Sequence, residues 1–216
     1  MSFFDFKKAR SSALFHFSFF LFTFFVAGCF NEPEPAYKSV PAENRVYLSD
    51  KGLTDLSSCA ALKSGQETAS PLKIDYVNLD RNQLTNVDAV AKLAELKWLR
   101  LNDNKLSALP DLKALVKLRR IYLKNNKFAS VPEALKDLPS LTDVDLSGNP
   151  IKEVPKWLAE KKGLKNLSFS RTQLTKLPED LSAWASLQSL QLGDLNFSAE
   201  EMARIRKALP NVAIPF

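Results

Sequence analysis

The stretch "LKWLRLNDNKL", from Leu96 to Leu106, decides the fold of this chain. Leu99 and Leu101 are two residues apart, so their side chains point to the same face of a short β-strand. Trp98 and Arg100 alternate with these leucines, so their side chains point to the opposite face. The stretch therefore predicts a strand with one buried and one accessible face.

The same pattern, L-x-x-L-x-L-x-x-N-x-L, occurs six times at a spacing of 22 or 23 residues. The copies are "IDYVNLDRNQL" (74–84), "LKWLRLNDNKL" (96–106), "LRRIYLKNNKF" (118–128), "LTDVDLSGNPI" (141–151), "LKNLSFSRTQL" (164–174) and "LQSLQLGDLNF" (187–197). No single unit can bury its own apolar face. We therefore expect the units to stack in parallel and to share one core.

The pattern resembles the leucine-rich repeat family over about residues 45–216. The resemblance implies an α/β solenoid with a parallel concave sheet, short helical or 3-10 turns on the convex side, and a cap at each end. An apolar residue followed by a proline lies three residues after four of the closing apolar positions, as in the "LP" repeats of bacterial members. These prolines are Pro110, Pro132, Pro155 and Pro178.

An asparagine follows the strand in the first four repeats. In the leucine-rich repeat family its side-chain amide bonds to backbone groups of adjacent turns, which implies a structural ladder rather than a catalytic site. Repeat five has Thr172 at this position, which can still form a hydrogen bond, and repeat six has Leu195, which cannot. The ladder residues are Asn82, Asn104, Asn126 and Asn149.

The N-terminal segment has the pattern of a secretory signal. A basic stretch with Lys7, Lys8 and Arg10 precedes the uncharged segment 11–30. A transmembrane helix is the alternative, since about 20 uncharged residues can span a bilayer. Both interpretations place the rest of the chain outside the cytoplasm.

The sequence Val26-Ala27-Gly28-Cys29 resembles the lipobox of bacterial lipoproteins. In that family the cysteine thiol is lipidated and the chain is cut before it, which implies that Cys29 anchors the protein in a membrane of the cell envelope. The residue after the cysteine is Phe30. The aspartate that marks inner-membrane retention in some relatives is thus absent, which favours the outer membrane.

These patterns divide the chain into five segments. We expect a helix from about Ala199 to Ala208 within the last one, because Ser198 and Glu201 have capping-box spacing. The predicted segments are a signal peptide (1–28), the lipidated cysteine with a proline-rich tether (29–44), an N-terminal cap unit (45–73), six repeats (74–197) and a C-terminal cap (198–216).

The composition argues against several classes of function. The predicted mature chain has 188 residues, a net charge of +4 and no histidine, because His16 lies in the signal segment. Ser-His-Asp and Cys-His catalysis and the usual histidine-containing metal sites are thereby excluded. Phosphate-binding glycine loops are absent from the sequence as well. We therefore predict no enzyme activity, no metal, no cofactor and no nucleic-acid partner.

Cys59 is expected to be a buried apolar residue.

Large and cationic side chains cluster on the predicted concave face over three neighbouring repeats. Trp, Tyr and Arg most often carry the binding energy at protein interfaces. They could instead stabilise the sheet as cross-strand pairs. Asp143 and Asp145 share a strand face and could act as paired carboxylates, but no pocket is implied around them. The predicted binding residues are Tyr76, Trp98, Arg100, Arg120 and Tyr122.

This cluster predicts a monomeric interaction module that binds a protein or peptide with an apolar or acidic surface. A glycan or cell-wall binding module is the alternative, because aromatic faces with polar edges also suit sugars.

Overall fold

The computed structural model describes residues 44–57, 59, 62 and 73–216. The predicted lipidation site Cys29, the signal segment and the tether lie outside these residues. Within them, no helix combines the length and the apolar character needed to cross a bilayer.

A single parallel sheet forms one side of the described chain, with the strands in sequence order. Its central residues align from strand to strand, so that Val46 pairs with Val77 and Val77 with Leu99. This alignment confirms the predicted parallel stack, including the register of the partial repeat at the N-terminus. The strands are β1 (Arg45–Tyr47), β2 (Tyr76–Asn78), β3 (Trp98–Arg100), β4 (Arg120–Tyr122), β5 (Asp143–Asp145), β6 (Asn166–Ser168) and β7 (Ser189–Gln191).

One hydrophobic core runs behind the sheet. The central residues of β2 to β7 are at most 2% exposed. The leucines that flank them, such as Leu96 and Leu101, are also fully buried. Each repeat thus contributes the same apolar positions to a core that continues into the next repeat, as the sequence pattern predicts.

Short helices return the chain on the other side of the core. In the described residues these are the 3-10 helices Asp88–Lys92, Glu133–Leu135 and Ser182–Trp184 and the α-helix α1, Lys156–Ala159. Pro132 and Pro155 immediately precede two of them with extended backbone. A proline needs no hydrogen-bond acceptor there, so these residues mark where the chain leaves the sheet.

The two tryptophans on this side contact the core to different extents. Trp184 is fully buried, and its Nε1 donates a hydrogen bond to the carbonyl oxygen of Leu158 at 3.0 Å. Trp157 is partly buried, and its Nε1 donates to Glu133 at 2.7 Å. Only Trp184 is enclosed.

The C-terminal segment closes the last strand. Helix α2, Ala199–Ala208, begins at Ser198, whose Oγ accepts a hydrogen bond from the N–H of Glu201 at 3.2 Å. Beyond the helix, Ala213 forms a parallel bridge with Ser189. The N–H groups of Leu190 and Leu192 donate to the carbonyl oxygens of Ala213 at 2.9 Å and Pro215 at 3.1 Å, so the chain terminus supplies acceptors at this edge of the sheet.

In the turn after each strand, one residue has a left-handed backbone conformation. The residue before the ladder position has φ between 53° and 67° in every repeat and in the N-terminal unit. Most are Asp, Asn or Arg, and only Asp and Asn accept this conformation readily. At Gly148 a Cβ atom would lie 2.1 Å from Oδ1 of Asn125 in the preceding repeat. A larger residue at this position would therefore displace the side chain of Asn125.

Candidate interaction surface

The four ladder asparagines bond to the backbone inside the solenoid. Nδ2 of Asn126 donates to the carbonyl oxygens of Leu101 at 2.9 Å and Leu123 at 3.0 Å. Its Oδ1 accepts from the N–H of Leu106 at 3.0 Å. Each ladder asparagine thus joins its own turn to the preceding repeat. The same arrangement occurs at Asn82, Asn104 and Asn149.

Repeats five and six depart from this arrangement as their sequences suggest. Oγ1 of Thr172 donates one hydrogen bond to the carbonyl oxygen of Phe169 at 2.8 Å. Leu195 is partly buried against the core instead. The ladder therefore weakens towards the C-terminal cap, where the cap itself supplies backbone partners.

Tyr76 does not contribute accessible surface, contrary to the prediction. It lies on the concave side of the sheet, apart from the main core, but it is 0% exposed. The rings of Tyr47 and Trp98 lie 5.3 Å and 6.2 Å from its ring. Parallel strands are only about 4.8 Å apart, so large side chains on both neighbouring strands can enclose the one between them.

The other four predicted binding residues form two cation–π pairs on β3 and β4. The guanidinium of Arg120 lies 4.9 Å from the ring centre of Trp98. That of Arg100 lies 5.8 Å from the ring centre of Tyr122. Because Trp98 pairs with Arg120 and Arg100 with Tyr122 in the strand register, the two pairs are adjacent. We call these four residues the aromatic–arginine patch.

The charge of this patch is balanced from within, which differs from the cationic surface expected. Arg100 contacts the carboxylate of Asp80 at 2.6 Å, and Arg120 lies 3.7 Å from that of Asp143. Burial raises the pKa of Asp80 above its usual range, while the nearby Arg100 opposes this shift. The patch thus offers stacked rings and guanidinium planes rather than a large net positive charge.

Several polar residues of the concave face were expected to be exposed and are buried. Their side chains form hydrogen bonds to neighbouring backbone groups or side chains. Oδ1 of Asp80 accepts from the N–H of Asn102 at 2.8 Å, and Oδ1 of Asn102 accepts from the N–H of Lys124 at 2.9 Å. The residues concerned are Asn78, Asp80, Asp143, Ser147 and Ser168, each at most 9% exposed.

These bonds form a second ladder, along the carboxyl ends of the strands. The second ladder was not predicted from the sequence. Its signal is present in the sequence, because an acceptor side chain recurs at the same repeat position in Asp80, Asn102 and Ser170. The leucine-rich repeat pattern specifies only the asparagine of the first ladder, so it does not indicate the acceptors of the second ladder.

Asp143 and Asp145 have separate surroundings. Asp143 accepts hydrogen bonds from Thr142 Oγ1 at 2.5 Å and Asn166 Nδ2 at 2.6 Å. Asp145 accepts from the N–H of Ser147 at 2.9 Å. Each carboxylate thus stabilises its own part of the sheet, and the geometry does not pair them for acid–base catalysis. In the described part of the chain, no three His, Cys, Asp or Glu side chains form a group that could hold a metal ion.

Cys59 lies in the N-terminal unit, where it is partly buried. Its side chain packs against the main core, and its N–H donates to the carbonyl oxygen of Leu56 at 3.1 Å. Full burial was expected.

An open groove of about 570 Å³ borders the patch at the amino ends of the strands. Trp98 and Arg120 line it, together with Arg119 and Lys165, which lie directly before β4 and β6. The prediction from the sequence included only strand positions, so these two residues were not among the predicted binding residues. The groove extends the patch across three further repeats.

Comparison with known proteins supports the fold. A family model described as "Leucine rich repeat" matches residues 96–151. This segment contains the second, third and fourth repeats, in which the asparagine pattern is complete. A search of curated proteins found no match.

Two solved structures are similar to this chain. The crystal structure of an internalin from Listeria monocytogenes is 20% identical and has a TM-score of 0.54, covering 68% of this chain and 50% of that chain. A leucine-rich repeat protein from Leptospira interrogans is 26% identical, with a TM-score of 0.38, covering 67% and 55%. The chain thus matches about half the length of each.

The chain folds as a leucine-rich repeat solenoid. This fold generally serves protein–protein interaction, because its stacked repeats form an extended concave surface. In this solenoid the two ladders and the core hold that surface, and the aromatic–arginine patch is its most distinctive part.

Proposed function

We propose that this solenoid is a lipid-anchored protein of the bacterial cell envelope that binds a protein or peptide through its concave face. The observation that carries the proposal is the aromatic–arginine patch. Trp98, Arg100, Arg120 and Tyr122 lie side by side on two paired strands. Such residues supply much of the binding energy at protein interfaces.

The patch is held in place before any partner binds. Arg100 is fixed by Asp80, and Arg120 lies over the indole ring of Trp98. A partner therefore has to immobilise few flexible side chains, and this lowers the entropic cost of binding. Preorganisation of this kind favours a specific protein contact.

A protein partner suits this geometry better than a sugar. A sugar ring would stack on an open aromatic face, but the guanidinium of Arg120 lies over Trp98 and Tyr76 approaches the same ring edge-on. Stacked guanidinium and aromatic groups, in contrast, can contact both apolar side chains and backbone carbonyls of a protein.

The envelope location rests on the lipobox-like sequence Val26-Ala27-Gly28-Cys29. We expect the mature chain to begin at a lipidated Cys29, and we expect Cys29→Ala to prevent both lipidation and signal removal by the lipoprotein pathway. Mass spectrometry of the mature N-terminus tests this. An unmodified terminus at another residue, or an intact segment 1–28, would contradict it.

Capture from an envelope extract tests the binding function. The purified protein should retain a specific protein, identified by mass spectrometry, and Trp98→Ala should lose it. Ser189→Ala, at the far end of the same row of the concave face, is the matched control and should retain it. Retention of cell-wall fragments instead of protein would favour the glycan alternative.

A further inference from the structure

The groove beside the aromatic–arginine patch has an excess of positive charge. Three cations line it: Arg119, Arg120 and Lys165. Asp143 is the single carboxylate among its lining residues. The groove therefore differs from the patch, whose two arginines each have an acidic neighbour.

The carboxylate of Asp143 is already engaged. It accepts hydrogen bonds from Thr142 and Asn166 and lies 3.7 Å from Arg120. It is only 9% exposed. Asp143 therefore compensates Arg120 and has little capacity left to attract further cations.

The other two cations are exposed to solvent. Arg119 and Lys165 are exposed, and neither forms a salt bridge with another described residue. Both lie at the amino ends of their strands, with their backbone carbonyls bonded to the next strand. Their backbones are thus fixed while their charged ends face the groove.

We propose that this groove binds an acidic segment of the partner protein. The inference rests on the proposed interaction function and names the chemistry of the partner. Carboxylates of that segment would pair with Arg119 and Lys165, while its apolar side chains would contact Trp98 at the border of the patch. The charge complementarity would increase the association rate and select against basic segments.

A labelled hexaglutamate peptide tests the proposal on the full-length protein by fluorescence anisotropy. We expect hexaglutamate to bind, hexalysine not to bind, and the affinity for hexaglutamate to fall when the salt concentration is raised. The double variant Arg119→Glu/Lys165→Glu should bind hexaglutamate at least about 10-fold more weakly. Both substituted residues are exposed, so the variant should unfold at the same urea concentration as the wild type.

The matched control is Lys152→Glu/Lys207→Glu, which changes the net charge equally at exposed sites outside the groove. It should change the affinity less than about 3-fold. An equal loss in the two double variants would show that binding follows net charge, and this would overturn the proposal. Failure of the wild type to bind hexaglutamate would overturn it too.

Partner capture separates this inference from the proposed function. If Arg119→Glu/Lys165→Glu still captures the partner while Trp98→Ala does not, the acidic-segment inference is wrong and the interaction function stands. If the wild type captures no protein, the proposed function fails. Binding to anionic lipid vesicles that depends on Arg119 and Lys165, without binding of hexaglutamate, would assign the groove to a membrane surface and overturn the inference.

Discussion

Arg100 donates two hydrogen bonds to Asp80 across neighbouring strands, from Nε at 2.7 Å and from Nη2 at 2.6 Å. Their side chains are only 15% and 3% exposed. Arg81 and Asp50 form a pair of the same length, but these side chains are 55% and 42% exposed. The same type of ion pair thus occurs within the sheet at Arg100 and at the surface at Arg81.

The contrast predicts different effects for the same substitution. Asp80→Asn keeps the size of the side chain and an acceptor for the N–H of Asn102, but removes the negative charge that faces Arg100. We expect the free energy of unfolding to fall by about 2 kcal/mol, since the largely buried guanidinium loses the carboxylate that balances its charge. Urea denaturation of the full-length protein measures this loss.

Asp50→Asn is the matched control. Asparagine tolerates the left-handed backbone of this position, so the substitution tests the charge alone. Water hydrates both ends of this pair, and the loss should stay below about 1 kcal/mol. Equal losses at the two sites would show that burial does not determine the strength of the pair.

Asn126 provides a test of the first ladder. Asn126→Ala removes the partners of the Leu101 carbonyl and the Leu106 N–H in the buried turn. We expect a loss of about 1–3 kcal/mol. Asn126→Thr should lose less, because Thr172 in repeat five donates to the carbonyl oxygen of Phe169, which corresponds to the bond from Asn126 to Leu123. Asn211→Ala, at an exposed site near the C-terminus, should leave the urea midpoint unchanged. A midpoint unchanged in Asn126→Ala would refute the structural role of the ladder.

The fold was predictable because each apolar position recurs at the same place in the successive repeats. The period fixes which residues share a face, and Val77, Leu99 and Ile121 are accordingly buried in one register. Helix α2 was predictable for a different reason, since Ser198 and Glu201 carry a local capping signal. Both are short-range patterns that a single sequence displays directly.

The exposure of concave residues was less predictable. The alternation of side chains along a strand predicts on which face of the sheet Tyr76 and Asp80 lie. It does not predict how much of each side chain the neighbouring residues cover. Tyr76 is enclosed with Tyr47 and Trp98, and Asp80 is buried with Arg100. These contacts depend on side-chain conformations across strands 20 or more residues apart in sequence. The groove was missed for a different reason, because Arg119 and Lys165 lie just before their strands, where alternation makes no prediction.

The C-terminal cap should be sensitive to acid through Glu201. Its carboxylate accepts hydrogen bonds from Arg204 and from the N–H of Leu177. The bond from Arg204 holds the pKa of Glu201 below its ordinary value of 4.5, against the opposing effect of burial. A lowered pKa in the folded state contributes stability above the unfolded pKa. That contribution is lost as the pH falls through the folded pKa.

Glu201→Gln should therefore lower the free energy of unfolding by about 1 kcal/mol at neutral pH. The difference from the wild type should disappear as the pH falls below the folded pKa. Urea denaturation at a series of pH values from neutral to acidic measures this change. Glu200→Gln, in the same helical turn but fully exposed, should have a smaller effect at neutral pH. A difference that persists at low pH would show that Glu201 acts through packing rather than charge.

Trp98 should be the most important single residue for partner binding. It lies at the border of the patch and the groove, contacts Arg120 at 4.9 Å, and forms an edge-to-face pair with Tyr76. Trp98→Ala would remove the ring that a partner contacts and would leave Arg120 without its stacking surface. We expect a loss of about 2 kcal/mol or more in binding free energy, which titration calorimetry with the captured partner measures.

Stability has to be measured for the same variant, because Trp98 also covers Tyr76. Loss of the aromatic pair should lower the free energy of unfolding by about 1 kcal/mol. Trp98→Phe keeps a ring over Tyr76, so it should regain most of this stability while recovering only part of the affinity. Ser189→Ala should change neither quantity. If Trp98→Ala binds the partner as tightly as the wild type, the binding site lies elsewhere on the solenoid, and the patch serves only to enclose Tyr76.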